Sequence, residues 1–443
     1  MAPGPECGLK TQEEDADARD PIEAVRRTER HVHGARIRRV HLTVLVFGNC
    51  FARVIYVPLT LRTHPMRILF LALDVDLSKH RGDTIHAVEL ARALSLLGHE
   101  LQLVVGADGS ARALLPNEVD VQVARGADLS VFAGIRAFLR KRPADVVYER
   151  RFSPKMGFAV ASFSQLPLVL EVNGILRDEL AFQRGHSRKP SAIKARLRKT
   201  MMQKVDRFVA VSPSIAQDLV RTYDLDASRV RVIGNGVTTE RFRPMLKAEA
   251  CARLGYPSEA PRVVFVGNLA GWRDFEAPLN AIVRLKAEFP TLELLIVGAG
   301  PEEDAVRSAV RSLGVDGVRF SGEVPYSDVP LYIASGDVCL VPERPRDVEI
   351  SPLKLFEYLA CGRPVIASRV VGMDVVESQR VGRLFMPGDP DDLAKTLADM
   401  LNDPAGRALM GSQGRSYVER ERSWTSVAAK VLQVLGEVVA PAS

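Results

Sequence analysis

Asp347–Ser368, DVEISPLKLFEYLACGRPVIAS, reads as loop, helix and buried strand in one unbroken string. Ser351 suits an N-cap, and Pro352 falls at the first helical position, where its missing N–H costs nothing. Leu353, Phe356, Leu359 and Ala360 make an apolar stripe at helical spacing. Cys361-Gly362 ends the helix, and Pro364-Val-Ile-Ala367 reads as a short buried strand.

The polar residues of the string suggest a chemistry. Lys354 lies in the first helical turn, where a cation opposes the helix dipole unless an anion binds at that end. The free N–H groups from Ser351 to Lys354, through Pro352 and Leu353, would form an anion cradle. Glu349 stands in the loop before the helix, and Glu357 one to two turns in. A carboxylate there can accept hydrogen bonds from two vicinal hydroxyls, as on a ribose. Diphosphate at the helix end and ribose on a carboxylate together make a nucleotide-sugar site. The bland alternative is a capped amphipathic helix with exposed charges.

The 443 residues suggest two to three domains, at roughly 150 residues each. The formal net charge of +6 fits an anionic ligand or a membrane surface and does not by itself indicate nucleic acid. Five cysteines (Cys7, Cys50, Cys251, Cys339 and Cys361) are scattered without a CxxC pair, which argues for a reducing compartment and against a structural zinc site.

Residues 1–65 read as an N-terminal extension, disordered or preceding the true start of translation at Met66. The apolar part, Val40–Leu61, is interrupted by Gly48, Arg53 and Pro58, which weakens a signal-anchor reading. From Met66 the pattern alternates. Strands are expected at Ile68–Leu73, Leu101–Val105, Val119–Val123, Val146–Glu149, Leu168–Val172 and Arg207–Val211, with helical stretches between most of them. This predicts a doubly wound α/β layer, whose ligands bind at the carboxyl ends of strands. The loops so marked are Asp74–Gly82, Arg150-Arg151 and Asn173-Gly174. A second series follows a linker over Pro244–Pro261. Its strands are Val263–Val266, Leu294–Val297, Val318–Gly322, Asp337–Val341 and Leu384–Met386, with helices at Pro390–Met400 and Ser423–Val439. Gly298-Ala-Gly300 after Val297 is a strand-to-helix glycine turn, and no Gly-Lys-Ser/Thr follows to make it a Walker loop.

Gln183–Lys204, QRGHSRKPSAIKARLRKTMMQK, is strongly basic. From Ala192 it can be helical, with Ile193, Leu197, Met201 and Val205 on one side. That stripe packs on the first domain in one reading. In the other, the helix meets anionic lipid headgroups, each basic residue adding about 1 kcal/mol.

Two glutamates separated by seven intervening residues, with Pro-Leu-Lys between and Gly-x-Pro-Val-Ile-Ala after, resemble the donor-site signature of family 4 glycosyltransferases. The likeness runs from about Met66 to the C-terminus. It implies the GT-B fold, two Rossmann-like domains facing each other across a cleft. The acceptor-binding domain would be 66–243 and the donor-binding domain 244–422, with a last helix at about 423–443 returning to the first. Asn235-Gly-Val237 and Phe242-x-Pro244 match the family's junction. On the donor side the resemblance assigns Gly267 and Asn268, where relatives more often have arginine, with Arg273 as the second clamp on the diphosphate beside Lys354. Gly298 and Val324 would lie near the nucleotide. Glu349 would contact the transferred sugar. On the acceptor side stand Gly82, His86, Arg150 and Asn173; relatives often have histidine where this chain has Asn173, and His86 reads as a helix-face residue rather than a catalyst.

The expected activity is retaining transfer of a sugar from a nucleoside diphosphate sugar to a sugar or lipid-linked hydroxyl, with Glu349, Arg273 and Lys354 as catalytic residues. No cofactor and no metal enter that scheme. The place expected is the cytoplasm, peripheral on the inner face of the membrane, in envelope glycan synthesis. Two rivals stand beside it: a nucleotide-sugar epimerase or phosphorylase-like enzyme of the same fold, and a non-catalytic nucleotide-sugar binding protein. A glycosidase would want its carboxylates about 5 Å apart, with no cations between them.

Overall fold

The computed structural model describes residues 65–79, 82–174, 192–345 and 353–439, with the backbone of four short strands before residue 65. The chain divides into two units, Met1–Pro65 and Met66–Ser443. The sequence predicts no elements in the first. Its described backbone nevertheless forms two antiparallel pairs, Arg27–Val32 with Ala35–Val40 and Leu45–Val46 with Arg53–Val54. Valine recurs in both pairs, and β-branched residues favour extended backbone. Among the described residues, no helix is long and apolar enough to cross a membrane.

The second unit holds two parallel sheets. Elements of its first half are β1 (Arg67–Asp76), α1 (Gly82–Leu96), β2 (Glu100–Ala107), β3 (Asp120–Val123), α2 (Asp128–Lys141), β4 (Val146–Arg150), α3 (Lys155–Ser164), β5 (Leu168–Val172), α4 (Ala192–Gln203), β6 (Arg207–Ala210), α5 (Pro213–Tyr223) and β7 (Val230–Val232). Then come α6 (Lys247–Leu254), β8 (Arg262–Val266), α7 (Glu276–Leu285), β9 (Glu293–Val297), α8 (Glu303–Leu313), β10 (Val318–Gly322), α9 (Val329–Ala334) and β11 (Val338–Val341). The chain closes with α10 (Leu353–Ala360), β12 (Val365–Ser368), α11 (Val375–Ser378), β13 (Gly382–Phe385), α12 (Pro390–Leu401), α13 (Pro404–Glu421) and α14 (Trp424–Val438).

The first sheet runs β7-β6-β5-β4-β1-β2-β3 and the second β10-β9-β8-β11-β12-β13. Both are doubly wound, and in each the order reverses beside the first strand, between β1 and β4 and between β8 and β11. A doubly wound sheet opens its ligand crevice at that reversal, at the carboxyl ends of the strands. The strands are apolar runs such as VVFV and VCLV because helices cover both faces. Helix starts follow local chemistry. Ser212 accepts from the Ile215 N–H ahead of α5, Asp389 from Asp391 and Asp392 ahead of α12, and Ser423 from Ser426 ahead of α14.

The linker expected at Pro244–Pro261 contains α6. Ala250 and Cys251 are buried, and Lys247 Nζ reaches Asp337 Oδ2 at 2.6 Å. Proline and charge suggest a linker, but two turns with one apolar face are enough to join a core. Arg262 is fully buried at the amino ends of the second sheet. It donates to Glu293 Oε2 at 2.6 Å, and the other Glu293 oxygen accepts from Arg319 at 2.8 Å.

The chain crosses between the halves twice. At the second crossing α14 returns, and Trp424, Val427, Val431 and Leu435 join the first half's core. The crossings meet where the Val237 N–H donates to Arg422 O at 2.7 Å. A Cβ on Gly236 would lie 2.7 Å from the Trp424 indole, so glycine is required there. Trp424→Ala opens a cavity at this junction and is expected to cost about 3–5 kcal/mol in urea unfolding; a loss under about 1 kcal/mol would show that the indole does not hold the crossings.

Candidate active site

Across the second crevice, the β8 and β11 loops are joined by Arg273 and Glu343, which form an ion pair and a short antiparallel bridge. The Arg273 guanidinium also lies 5.6 Å from the Phe265 ring centroid. Asp274, next in the loop, accepts from the Glu276 and Ala277 N–H groups and so caps α7. Gly267 has φ +157 and Gly298 has φ +121, and a Cβ on Gly298 would collide with the Gly267 carbonyl. Two strand ends can approach this closely only through glycine. Asn268 is exposed, and a Cβ on Gly300 would collide with its side chain.

On α10, Lys354 Nζ lies 2.7 Å from Glu357 Oε2, and the Tyr326 hydroxyl donates to Glu357 Oε1 at 3.3 Å. The Tyr358 hydroxyl accepts from the Val266 N–H at 2.7 Å, tying the helix to the end of β8. Lys354 and Glu357 are therefore fixed relative to the loop that carries Arg273. Leu353 begins the helix and meets the first half, since a Cβ on Gly82 would lie 3.1 Å from Leu353 Cδ1. Val324 is partly buried beside Tyr326 against the second half's core. Glu349, Ser351 and Pro352 lie outside the described residues.

The first crevice is built around Glu171 at the end of β5. His86 Nε2 lies 2.8 Å from Glu171 Oε1, Arg150 Nε lies 3.5 Å from the same oxygen, and the Tyr148 hydroxyl donates to Oε2. Burial works to raise this carboxyl, but His86, Arg150 and Tyr148 hold it down at about 2. His86 Nδ1 lies 2.8 Å from Asn235 Oδ1, and its ring meets Trp424 edge-on at 5.0 Å. His86, on α1, is 4% exposed, with Nδ1 toward Asn235 and Nε2 beside the Glu171 carboxylate. It joins α1, β5 and both chain crossings. Burial pushes Glu149, on β4, up to about 8, although the Gly157 N–H donates to Oε2 at 3.0 Å. Glu149 Oε1, Ser153 Oγ and Asn173 Oδ1 are among the buried side-chain atoms of the described residues that have no hydrogen-bond partner.

The basic helix α4 departs from the packed-stripe reading. Ile193 is 82% and Leu197 59% exposed, while Met202 and Val205 supply the buried contacts. Residues 183–191 lie outside the described residues. Among the described residues, no group of three or more His, Cys, Asp or Glu could hold a metal ion.

Residues 81–241 match the profile of Glycosyltransferase Family 4, and residues 260–403 that of Glycosyl transferases group 1. The chain carries a family 4 and a group 1 glycosyltransferase domain. A D-inositol 3-phosphate glycosyltransferase of Thermobispora bispora is 26% identical over 392 residues, 81% of this chain and 90% of the relative. A GDP-mannose-dependent monoacylated α-(1-6)-phosphatidylinositol monomannoside mannosyltransferase of Corynebacterium glutamicum is 30% identical over 208 residues, 45% of this chain. The chain spans about half, 54%, of that mannosyltransferase's length. In fold it resembles Anabaena HepE in complex with UDP, with a TM-score of 0.66 and 20% identity over 84% of this chain and 100% of that one. A Rickettsia africae glycosyltransferase gives a TM-score of 0.70 at 18% identity, covering 85% and 100%. Two facing Rossmann-like halves of the GT-B type are the shared fold.

Glu343, Tyr326, Tyr358, Glu149 and Glu171 carry much of this site and escape motif reading. The one sequence signal for Glu149 and Glu171 is a carboxylate inside an otherwise apolar strand run. Glu149 also yields a pH dependence. The folded protein holds its proton up to about pH 8, whereas an unfolded chain releases it near 4.5. Its contribution to stability therefore falls as pH rises through that window. Glu149→Gln is expected to raise Tm relative to wild type at about pH 8.5, with a smaller gain near pH 5, read by differential scanning calorimetry. An equal effect at both pH values would contradict the raised carboxyl.

Proposed function

We propose that this chain transfers a sugar from a nucleoside diphosphate sugar to an acceptor hydroxyl with retention at the anomeric carbon. The observation that carries the reading is the grouping of Arg273, Lys354 and Glu357 at the reversal point of the second sheet, each in contact with a group of opposite charge or a hydrogen-bond donor. A diphosphate exchanges with the two carboxylates. It takes the guanidinium from Glu343 and the ammonium from Glu357. An Arg fork suits phosphate oxygens, and Lys adds a point charge. Glu357, released on one oxygen, accepts from the ribose hydroxyls. Glu349 contacts the transferred sugar.

The chemical step then needs charge stabilisation on the leaving diphosphate, which Arg273, Lys354 and the start of α10 supply. The acceptor hydroxyl attacks on the face that the diphosphate leaves, and a departing phosphate oxygen takes its proton. The scheme calls on no metal. Asn173, Ser153 and Arg150 line the acceptor end, where the unpaired Asn173 Oδ1 and Ser153 Oγ suit a hydroxyl-rich group. The relatives named for inositol phosphate and phosphatidylinositol mannoside support a polyol or lipid-linked acceptor in envelope glycan synthesis.

We infer that α4 brings the chain to the anionic inner face of the membrane. Ile193 and Leu197 project outward next to Arg196, Arg198 and Lys199, so the helix offers apolar and basic groups together. Neutralising those three basic residues is expected to reduce sedimentation with anionic liposomes at least tenfold, at about 1 kcal/mol per charge. Unchanged sedimentation would remove the membrane role.

Thermal stabilisation of the full chain by UDP-, GDP-, ADP- and dTDP-sugars tests the donor reading. A ligand at a hundredfold its Kd adds about 2.7 kcal/mol. One nucleotide is expected to stabilise wild type. Lys354→Ala and Glu357→Ala are expected to weaken it by about 10- to 100-fold each, the loss of one charge-assisted contact. No shift with any of the four, or equal shifts in both variants, would contradict the assignment.

A further inference from the structure

Glu357 has two described hydrogen-bond partners, and they stand differently toward a donor. Lys354 holds Oε2 at 2.7 Å and is the cation that a diphosphate would draw away. Tyr326 holds Oε1 at 3.3 Å and carries no charge. Once Lys354 turns to phosphate, the Tyr326 hydroxyl is the remaining donor on this carboxylate among the described residues. Which way the carboxylate faces the ribose then depends on Tyr326.

Tyr326 is itself held from the first chain crossing. The Arg241 guanidinium lies 4.9 Å from its ring centroid, and Phe242 meets it edge-on at 5.5 Å. Both residues belong to the first chain crossing. Arg241 Nη1 in turn lies 3.7 Å from Glu89 Oε1 on α1, and Glu89 is only 1% exposed. Lys354 Nζ lies 5.8 Å from the centroid of the same Tyr326 ring. A line of contacts thus runs from α1 through Arg241 and Tyr326 to Glu357. Burial, with the nearby Glu357 and Glu89 carboxylates, pushes the Tyr326 hydroxyl well above its ordinary value, so it stays protonated and remains a donor at neutral pH.

We propose that Tyr326, braced by Arg241, is a positioning residue that orients Glu357 on the donor ribose and sets the preference for a 2′-hydroxyl. The inference rests on the ribose role given to Glu357 above. It predicts a selective loss. Removing the hydroxyl or its brace should leave diphosphate binding in place and lower discrimination between ribose and deoxyribose.

Calorimetric titration of the full chain with UDP and GDP, and with their 2′-deoxy counterparts, tests it. With whichever base binds, wild type is expected to prefer the ribonucleotide by about tenfold or more. Tyr326→Phe and Arg241→Met should each lower that preference at least about threefold, with affinity for the 2′-deoxynucleotide unchanged. Arg241→Lys, which keeps a cation near the ring, should recover part of it. Unchanged 2′-deoxynucleotide affinity also shows that the variants are folded. The inference is overturned if Glu357→Ala abolishes the preference while Tyr326→Phe and Arg241→Met keep it. It is also overturned if both variants lose the ribo- and deoxy-forms equally, which marks a structural effect. A wild type without preference, or Glu357→Ala retaining it, instead defeats the ribose reading of Glu357, and the inference falls with it.

Discussion

Opposite charges confined at one sheet reversal dominate the second half of this protein. Lys354 and Glu357 are 2.7 Å apart on one helical turn, and Arg273 meets Glu343 across the loops of β8 and β11. All four are largely removed from water, so each charge depends on its partner. Such pairs are marginal sources of stability, because desolvation consumes much of their attraction. They are better suited to exchange. A diphosphate offers the two cations a new anion, and a ribose offers the released carboxylate new donors, so the cost of parting each pair is offset as the ligand binds.

The scaffold makes that exchange local. Tyr358 fixes α10 to the end of β8, so Lys354, Glu357 and Arg273 hold one geometry. Gly267 and Gly298 let two strand ends approach closely enough to floor the crevice. The first half is joined at the crossings by a separate buried network, in which His86 reaches Glu171 and Asn235 and stacks edge-on against Trp424. Charge at Glu171 and neutrality at Glu149 follow from environment alone. One carboxyl has cations and a phenol around it, and burial of the other outweighs its one N–H and the nearby Arg151.

Much of this is legible in the chain. Apolar runs of four or five residues mark the strands because both sheets are covered on both faces. The alternation of strand and helix gives the double winding, and Pro-Leu-Lys followed by Glu357 marks the helix that bears the site. Pairing is not legible. Nothing local says that Glu343 will meet Arg273, or that Tyr326 will reach Glu357 from 31 residues away. The same gap explains α6, where charge and proline outweigh a short apolar face, and α4, where Ile193 and Leu197 have helical spacing but no surface to cover them. Periodicity gives a face, and only tertiary packing decides what that face meets.

The most direct measurement is a crystal structure of the full chain with the nucleoside diphosphate that stabilises it most. The account predicts Lys354 Nζ and the Arg273 guanidinium at about 2.7–2.9 Å from diphosphate oxygens. Glu357 should lie on the ribose hydroxyls, parted from Lys354. A nucleotide bound elsewhere, with Lys354–Glu357 and Arg273–Glu343 still paired, would contradict it.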